Sequence, residues 1–102
     1  MYKETFSIEE RLIKLKSITE DMPKVNIKII ARNTRDACIE ERKLKSICGI
    51  NFNNNLQSTI EMTNSVLSMG RKRVMLMRIN TAIDYLERYV KQVKEVDENE
   101  SL

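Results

Sequence analysis

The chain has 102 residues and a mass of 12.0 kDa, with 41% hydrophobic residues, 32% charged residues and a formal net charge of +3. That length predicts one domain with one core. Only 2 glycines and 1 proline argue against a sheet fold, whose hairpins and corners draw on those residues, and the absence of histidine excludes a Ser-His-Asp or Cys-His relay.

Ser7-Ile8-Glu9-Glu10 has the form of a capping box, in which Ser7 accepts from the amide near Glu10 and Glu10 reaches back. Phe6 adds a weak staple onto the aliphatic stem of Arg11. Ile8, Leu12, Leu15 and Ile18 or Thr19 follow on one helical face, with Glu10 and Lys14 spaced as an ion pair. A first helix is expected over 8–20, ended by Asp21-Met22-Pro23, because the residue before a proline avoids the helical basin.

Val25, Ile27 and Ile29 alternate as in a short edge strand, but no second strand candidate exists to pair with them. The spacing Ile27, Ile30, Thr34, Ala37 or Cys38, Glu41, Leu44 and Cys48 advances by threes and fours. A second helix is therefore expected over 24–48, with Pro23 suited to its start and Gly49-Ile50 to a Schellman stop.

Asn51-Phe52-Asn53-Asn54-Asn55 is the expected connector, with Phe52 an anchor into the core or, alternatively, a stacking residue for nucleic acid. Beyond it Leu56, Ile60, Thr63, Leu67, Gly70, Val74 and Met77 keep one phase, which favours a helix continuing through Gly70 over a break there. The cluster Arg71-Lys72-Arg73 bears on the same choice, because three cations oppose the dipole of a helix that starts at them: either an anionic partner binds there or no helix begins there. Leu76, Ile79, Ile83, Leu86, Val90 and Val93 form a second stripe of the kind that a left-handed bundle or coiled coil buries, with Asp84–Arg88 and Glu87–Lys91 as surface ion pairs.

Continuous second and third helices of about 37 and 60 Å would outreach a first helix of about 20 Å. The expected fold class is all-α, a small antiparallel helical bundle in one of two forms. It has four helices with a break near Gly70, or three with a long C-terminal helix completed by oligomerisation, such as a homodimer. Residues 1–94 form the expected domain and 95–102 an acidic, disordered tail. Glu95, Asp97, Glu98 and Glu100 stand there without a cation, so the preceding body carries 3 plus 4, or +7.

No catalytic arrangement emerges. Gly49 and Gly70 cannot build a phosphate loop, the neighbours Glu9-Glu10 and Glu40-Glu41 diverge on a helix, and Glu61 is the only acid in residues 42–83. No enzyme activity, cofactor or metal is expected. Cys38 and Cys48, about 15 Å apart on one helix, are expected as buried thiols and not as a disulfide or zinc pair. The opening Met1-Tyr2-Lys3-Glu4 lacks an apolar signal region and no segment is apolar enough to span a membrane, so a cytoplasmic or, in a eukaryotic setting, nuclear location is expected.

Two surfaces carry the functional expectation. Met62, Met69, Met75 and Met77 cluster in sequence around Gly70 and, with Leu76, Ile79, Ile83 and Leu86, suit a protein-interaction face; methionine adapts to irregular surfaces but serves equally as core filler. Arg35, Arg42 and Lys45 on the second helix and Arg71, Lys72, Arg73 and Arg78 near Gly70 suit phosphate contacts with DNA or RNA, or else lie as solvated helix formers over an apolar seam. Gln57, Ser58, Thr59 and Asn64 have base-reading side chains, but residues 51–70 hold no cation to grip flanking phosphates. The expected function is that of a non-enzymatic helical interaction or adaptor protein, forming a homo-oligomer or docking onto a protein or nucleoprotein assembly. The alternative is a basic accessory protein that contacts nucleic-acid backbones with low sequence specificity.

Overall fold

A computed structural model of the chain describes the backbone of residues 3–47 and 53–100 and the side chains of residues 8–45 and 54–95. It forms four helices and, among the described residues, no strand: α1 (Lys3–Lys16), α2 (Lys24–Ile47), α3 (Asn53–Leu67) and α4 (Lys72–Glu100). Sequential helices pack as neighbours and α4 returns against α1, which closes the ring into an antiparallel bundle measuring 46 × 24 × 21 Å. This is the four-helix form of the two that the sequence allows. The alternating Val25, Ile27 and Ile29 belong to α2.

Each long helix buries one stripe. On α2 it is Ile27, Ala31, Thr34, Cys38 and Glu41; on α4 it is Met75, Ile79, Ala82, Leu86 and Tyr89, with the same spacing of four, three, four and three. Ile8 and Leu15 of α1 and Leu56, Thr59, Ile60, Thr63 and Val66 of α3 complete the core. The α4 stripe expected from the sequence straddles this line: Ile79 and Leu86 are buried, whereas Leu76, Ile83, Val90 and Val93 are half-buried beside them. The buried threonines need no partner helix for their hydroxyls, since Thr34, Thr59 and Thr63 donate to Ile30, Asn55 and Thr59 carbonyls at 2.8 Å each.

Three sequence expectations are corrected. Helix α1 already runs at Lys3, so Ser7 lies inside it and cannot serve as its cap, while the Ser7 and Phe6 side chains fall outside the described residues. The same helix stops at Lys16 and not at residue 20. Ser17 there donates its hydroxyl to the Lys14 carbonyl at 2.6 Å, and the Ile18 amide tightens onto Leu15 at 3.2 Å. Most consequentially, the chain breaks at residues 68–71: the Ser68 and Met69 amides close the end of α3 on Ser65 and Val66, and the Arg71 carbonyl accepts from Met75 to begin α4. The buried residues nearest the break, Val66 and Met75, lie nine positions apart, which on one continuous helix is half a turn out of phase. Only a reversal turns both inward.

Pro23 behaves as expected, its carbonyl accepting the amides of Asn26 and Ile27 at 3.0 and 3.1 Å where α2 starts. Of the expected connector, Asn53, Asn54 and Asn55 belong to α3; Cys48, Gly49, Ile50, Asn51 and Phe52 lie outside the described residues. Helix α4 runs through Glu100 and so carries Glu95, Asp97, Glu98 and Glu100 on its last turns.

Three substitutions test this arrangement by chemical denaturation. Leu86→Ala empties a fully buried position and should cost about 2–5 kcal/mol, against less than about 0.5 kcal/mol for Ile13→Ala, which is 66% exposed. Gly70→Ala should be neutral or stabilise by about 0.4–1 kcal/mol, because its backbone is not left-handed and nothing lies within 4 Å of the added methyl.

Candidate functional site

Two of the cavities that carry polar groups bear on function. The first is inside the bundle, where Glu41 of α2 is only 5% exposed and accepts a 2.5 Å hydrogen bond from the Tyr89 hydroxyl of α4. Lys45, one turn along α2, brings its ammonium within 4.0 Å of the same carboxylate. Burial, reinforced by Glu41, pushes the Cys38 thiol up from 9.0 to about 12. Burial also raises Tyr89 well above its ordinary value, helped by its hydrogen bond to Glu41 and by the charges of Glu41 and Cys38. A thiol and a phenol held protonated are poor nucleophiles and poor bases at neutral pH. The small adjoining cavity of about 230 Å³ is bounded by Ile8, Val90 and Val93 and crossed at its mouth by Glu9 and Lys94, paired at 3.5 Å. This node holds α2 to α4 across the core, as a satisfied buried pair does.

The second place lies at the opposite end, where the short α1 fails to cover α4. Lys16, the last residue of α1, pairs with Glu87, fifteen residues into α4. The first turns of α4 therefore run past α1 and face the connector 17–23. Between them opens a groove of about 760 Å³. Leu15, Ile18, Leu76, Ile79 and Ile83 line it with apolar surface, and Met77 stands at it 61% exposed. Lys16, Lys72 and Arg73 are the cations among its lining residues, against one carboxylate, Glu20.

Not all of those cations are free. Lys72 donates to the Glu20 carbonyl at 2.9 Å, and Lys24, the equivalent first residue of α2, donates to the Gly70 carbonyl at 2.6 Å. The two connectors are thus laced together at one end of the bundle. A cation at a helix N-terminus costs about 0.3–1 kcal/mol against the dipole, and an exposed lysine-to-carbonyl bond offsets a cost of that order. Arg71 and Arg73 remain exposed, and no described contact engages their guanidinium groups.

The structure redistributes the residues that the sequence singled out. Lys72, Arg73, Leu76, Met77, Ile79 and Ile83 are brought together in the groove, with Arg71 in the connector beside it. Met75 and Leu86 are core; Met62 and Met69 are half-buried against it, so the methionines do not form one surface patch. Arg35 donates to Asn64 at 2.9 Å and Arg42 donates to Gln57, bracing α2 on α3; Arg78 reaches the Met62 sulfur at 3.9 Å. Gln57, Asn64 and the buried Thr59 are thereby used inside the chain. Sequence reasoning missed Lys16, Ile18, Thr19 and Glu20 as groove residues, because they were assigned to or beside the end of α1 and only its early stop turns them toward α4. Among the described residues no group of three or more His, Cys, Asp or Glu side chains is placed to hold a metal, and no helix is long and apolar enough to cross a membrane.

The buried node makes a measurable pH prediction. Cys38 and Tyr89 keep their protons in the fold where the unfolded chain loses them, so their contribution is fully present below about pH 9 and stability should fall as pH climbs from 9 toward 12. Tyr89→Phe should cost about 1–3 kcal/mol at pH 7 by stripping a buried carboxylate of its donor, and the double variant Tyr89→Phe/Glu41→Leu should cost less than the sum of the singles in urea denaturation. No protein-family model, curated protein or solved structure matches this chain.

Proposed function

We propose that this chain is a non-enzymatic interaction protein that docks a protein partner into the groove between α4 and the connector 17–23. The observation that carries the reading is the presence of apolar and basic side chains along one groove: Leu76, Met77 and Ile83 beside Lys72 and Arg73. An amphipathic helix lays an apolar stripe into such a groove and sets its flanking charges against those of the groove, and the cations here select acidic flanks. Methionine at the lip suits a partner whose side chains do not interdigitate perfectly. No cofactor or catalytic group enters the reading.

Direct nucleic-acid binding is favoured only by the exposure of Arg71 and Arg73. Among the described residues the groove has no aromatic ring for a base to stack on, and Arg35 and Arg42, which would supply a second basic ridge, hydrogen-bond to α3.

The test compares proteins captured from the source cell by the wild type and by Arg73→Glu/Met77→Glu, with and without nuclease. Proteins retained after nuclease by the wild type and lost, by at least about tenfold, on the variant support groove docking. Capture that disappears with nuclease, or that is equal on both baits, overturns it.

A further inference from the structure

We infer that the groove takes the acidic last turns of α4 from a second copy, so that the protein associates head to tail. The inference rests on the groove being a docking surface and names its occupant. Charge sets the choice. Glu95, Asp97, Glu98 and Glu100 follow one another on α4 with no cation among them and with Val96 as an apolar residue in the run. The groove presents Arg73, with Arg71 adjoining, as exposed cations, while Lys16 beside them pairs with Glu87 and Lys72 donates to the Glu20 carbonyl. The two ends cannot meet within one molecule, because α4 runs as one helix of 29 residues, about 43 Å, between them. A symmetric dimer through the groove would set Lys72 and Arg73 against their own copies. The complementary contact is therefore heterologous, basic end to acidic end, and it does not close on itself.

The helix dipole points the same way. Helix α4 has no acid in its first turn and no base in its last, the reverse of what its dipole prefers at both ends. Across a head-to-tail junction each misplaced group meets a favourable pole: the acids of one copy lie by the N-terminus of the next helix, and Arg71 and Arg73 lie by the C-terminus of the first. Exposed pairs of this kind are weak and salt-screened, so the association is expected at high concentration and low salt.

Sedimentation velocity on the whole chain, from about 10 μM to 1 mM, reads it out. In about 0.02 M salt the mean mass should rise with concentration beyond a dimer, and in about 0.5 M salt it should fall to the monomer. Arg71→Glu/Arg73→Glu removes the acceptor end without touching the Lys72 bond to Glu20, and Asp97→Lys/Glu98→Lys/Glu100→Lys removes the donor end; each alone should associate at least about tenfold more weakly. Mixed, they keep one unchanged junction between them, and their two reversed ends are complementary as well, so the mixture should recover association that neither variant shows alone. Circular dichroism checks that each variant keeps the wild-type helicity, and Arg71→Gln/Arg73→Gln with Asp97→Asn/Glu98→Gln/Glu100→Gln replaces any that does not. A monomer at every concentration, association that survives either end's reversal, or a mixture that fails to pair overturns the inference. Loss of head-to-tail association with groove-dependent capture of another protein intact would overturn the occupant alone; failure of the capture experiment would remove the docking surface beneath it.

Discussion

Helices α2 and α4 bury stripes of the same spacing along lengths of about 36 and 43 Å, yet the helices that separate them, α1 and α3, reach only about 21 and 23 Å. A bundle of four helices has one core, and a long helix beside a short neighbour must expose part of its flank. The placement of α1 decides where. Glu9 and Lys16 pair with Lys94 and Glu87, which fixes α1 against the later part of α4 and leaves Leu76 to Ile83 to face the connector 17–23. Had α1 continued to residue 20, another turn of helix would have covered that stretch. The early stop at Ser17, with its hydroxyl turned back on Lys14, is thus the local event from which the groove follows.

The same end of the molecule shows why the basic cluster is compatible with a helix start. Lys72 does not wait for an anion. It spans to the Glu20 carbonyl while Lys24 spans the other way to Gly70, so two helix-initiating lysines bind each other's connectors. The two contacts hold together the ends of two hairpins, α1–α2 and α3–α4, that have no covalent link there. Of the cations in Arg71-Lys72-Arg73, the central one is structural and the outer two point to solvent, a division that charge counting alone does not make. A protein that used all three as an undifferentiated phosphate clamp would give up the lacing.

Most of the fold is legible in the sequence because burial follows helical period. The residues Ile27, Thr34, Cys38 and Glu41 on α2 stand inside as their spacing requires, and Pro23 marks where that helix begins. Gly70 misleads for a physical reason. Leu67 and Val74, seven apart, look like one continuing face, but both are only half-buried, and the residues that fill the core are their neighbours Val66 and Met75. A broad apolar face offers several in-phase readings, and only packing against α2 and α1 selects among them. Ser7 shows the converse: a capping box is a local preference worth about 1 kcal/mol, and an upstream turn of helix overrides it. The site was legible in part, through Arg73, Leu76, Met77 and Ile83, all from α4. Its other wall was not, because a connector's contacts depend on where the preceding helix ends.

The buried Glu41 bears on how rigid the groove is. A carboxylate 5% exposed, bonded by Tyr89 and approached by Lys45, fixes the register of α2 against α4 diagonally across the core, since sliding either helix by one residue turns the phenol away and leaves the charge without its donor. Tyr89 and Glu41 sit at the far ends of the same two stripes whose first members are Ile27 and Met75. The lysine lacing ties these helices at one end and the Glu41 node ties them near the other. Helix α1 is held to α4 by exposed ion pairs and a few apolar contacts, which are worth little individually. Widening the groove by moving α1 and its connector away from α4 would have to break the Lys72 bond to the Glu20 carbonyl, so the lacing that ties the helix starts also sets the width of the groove.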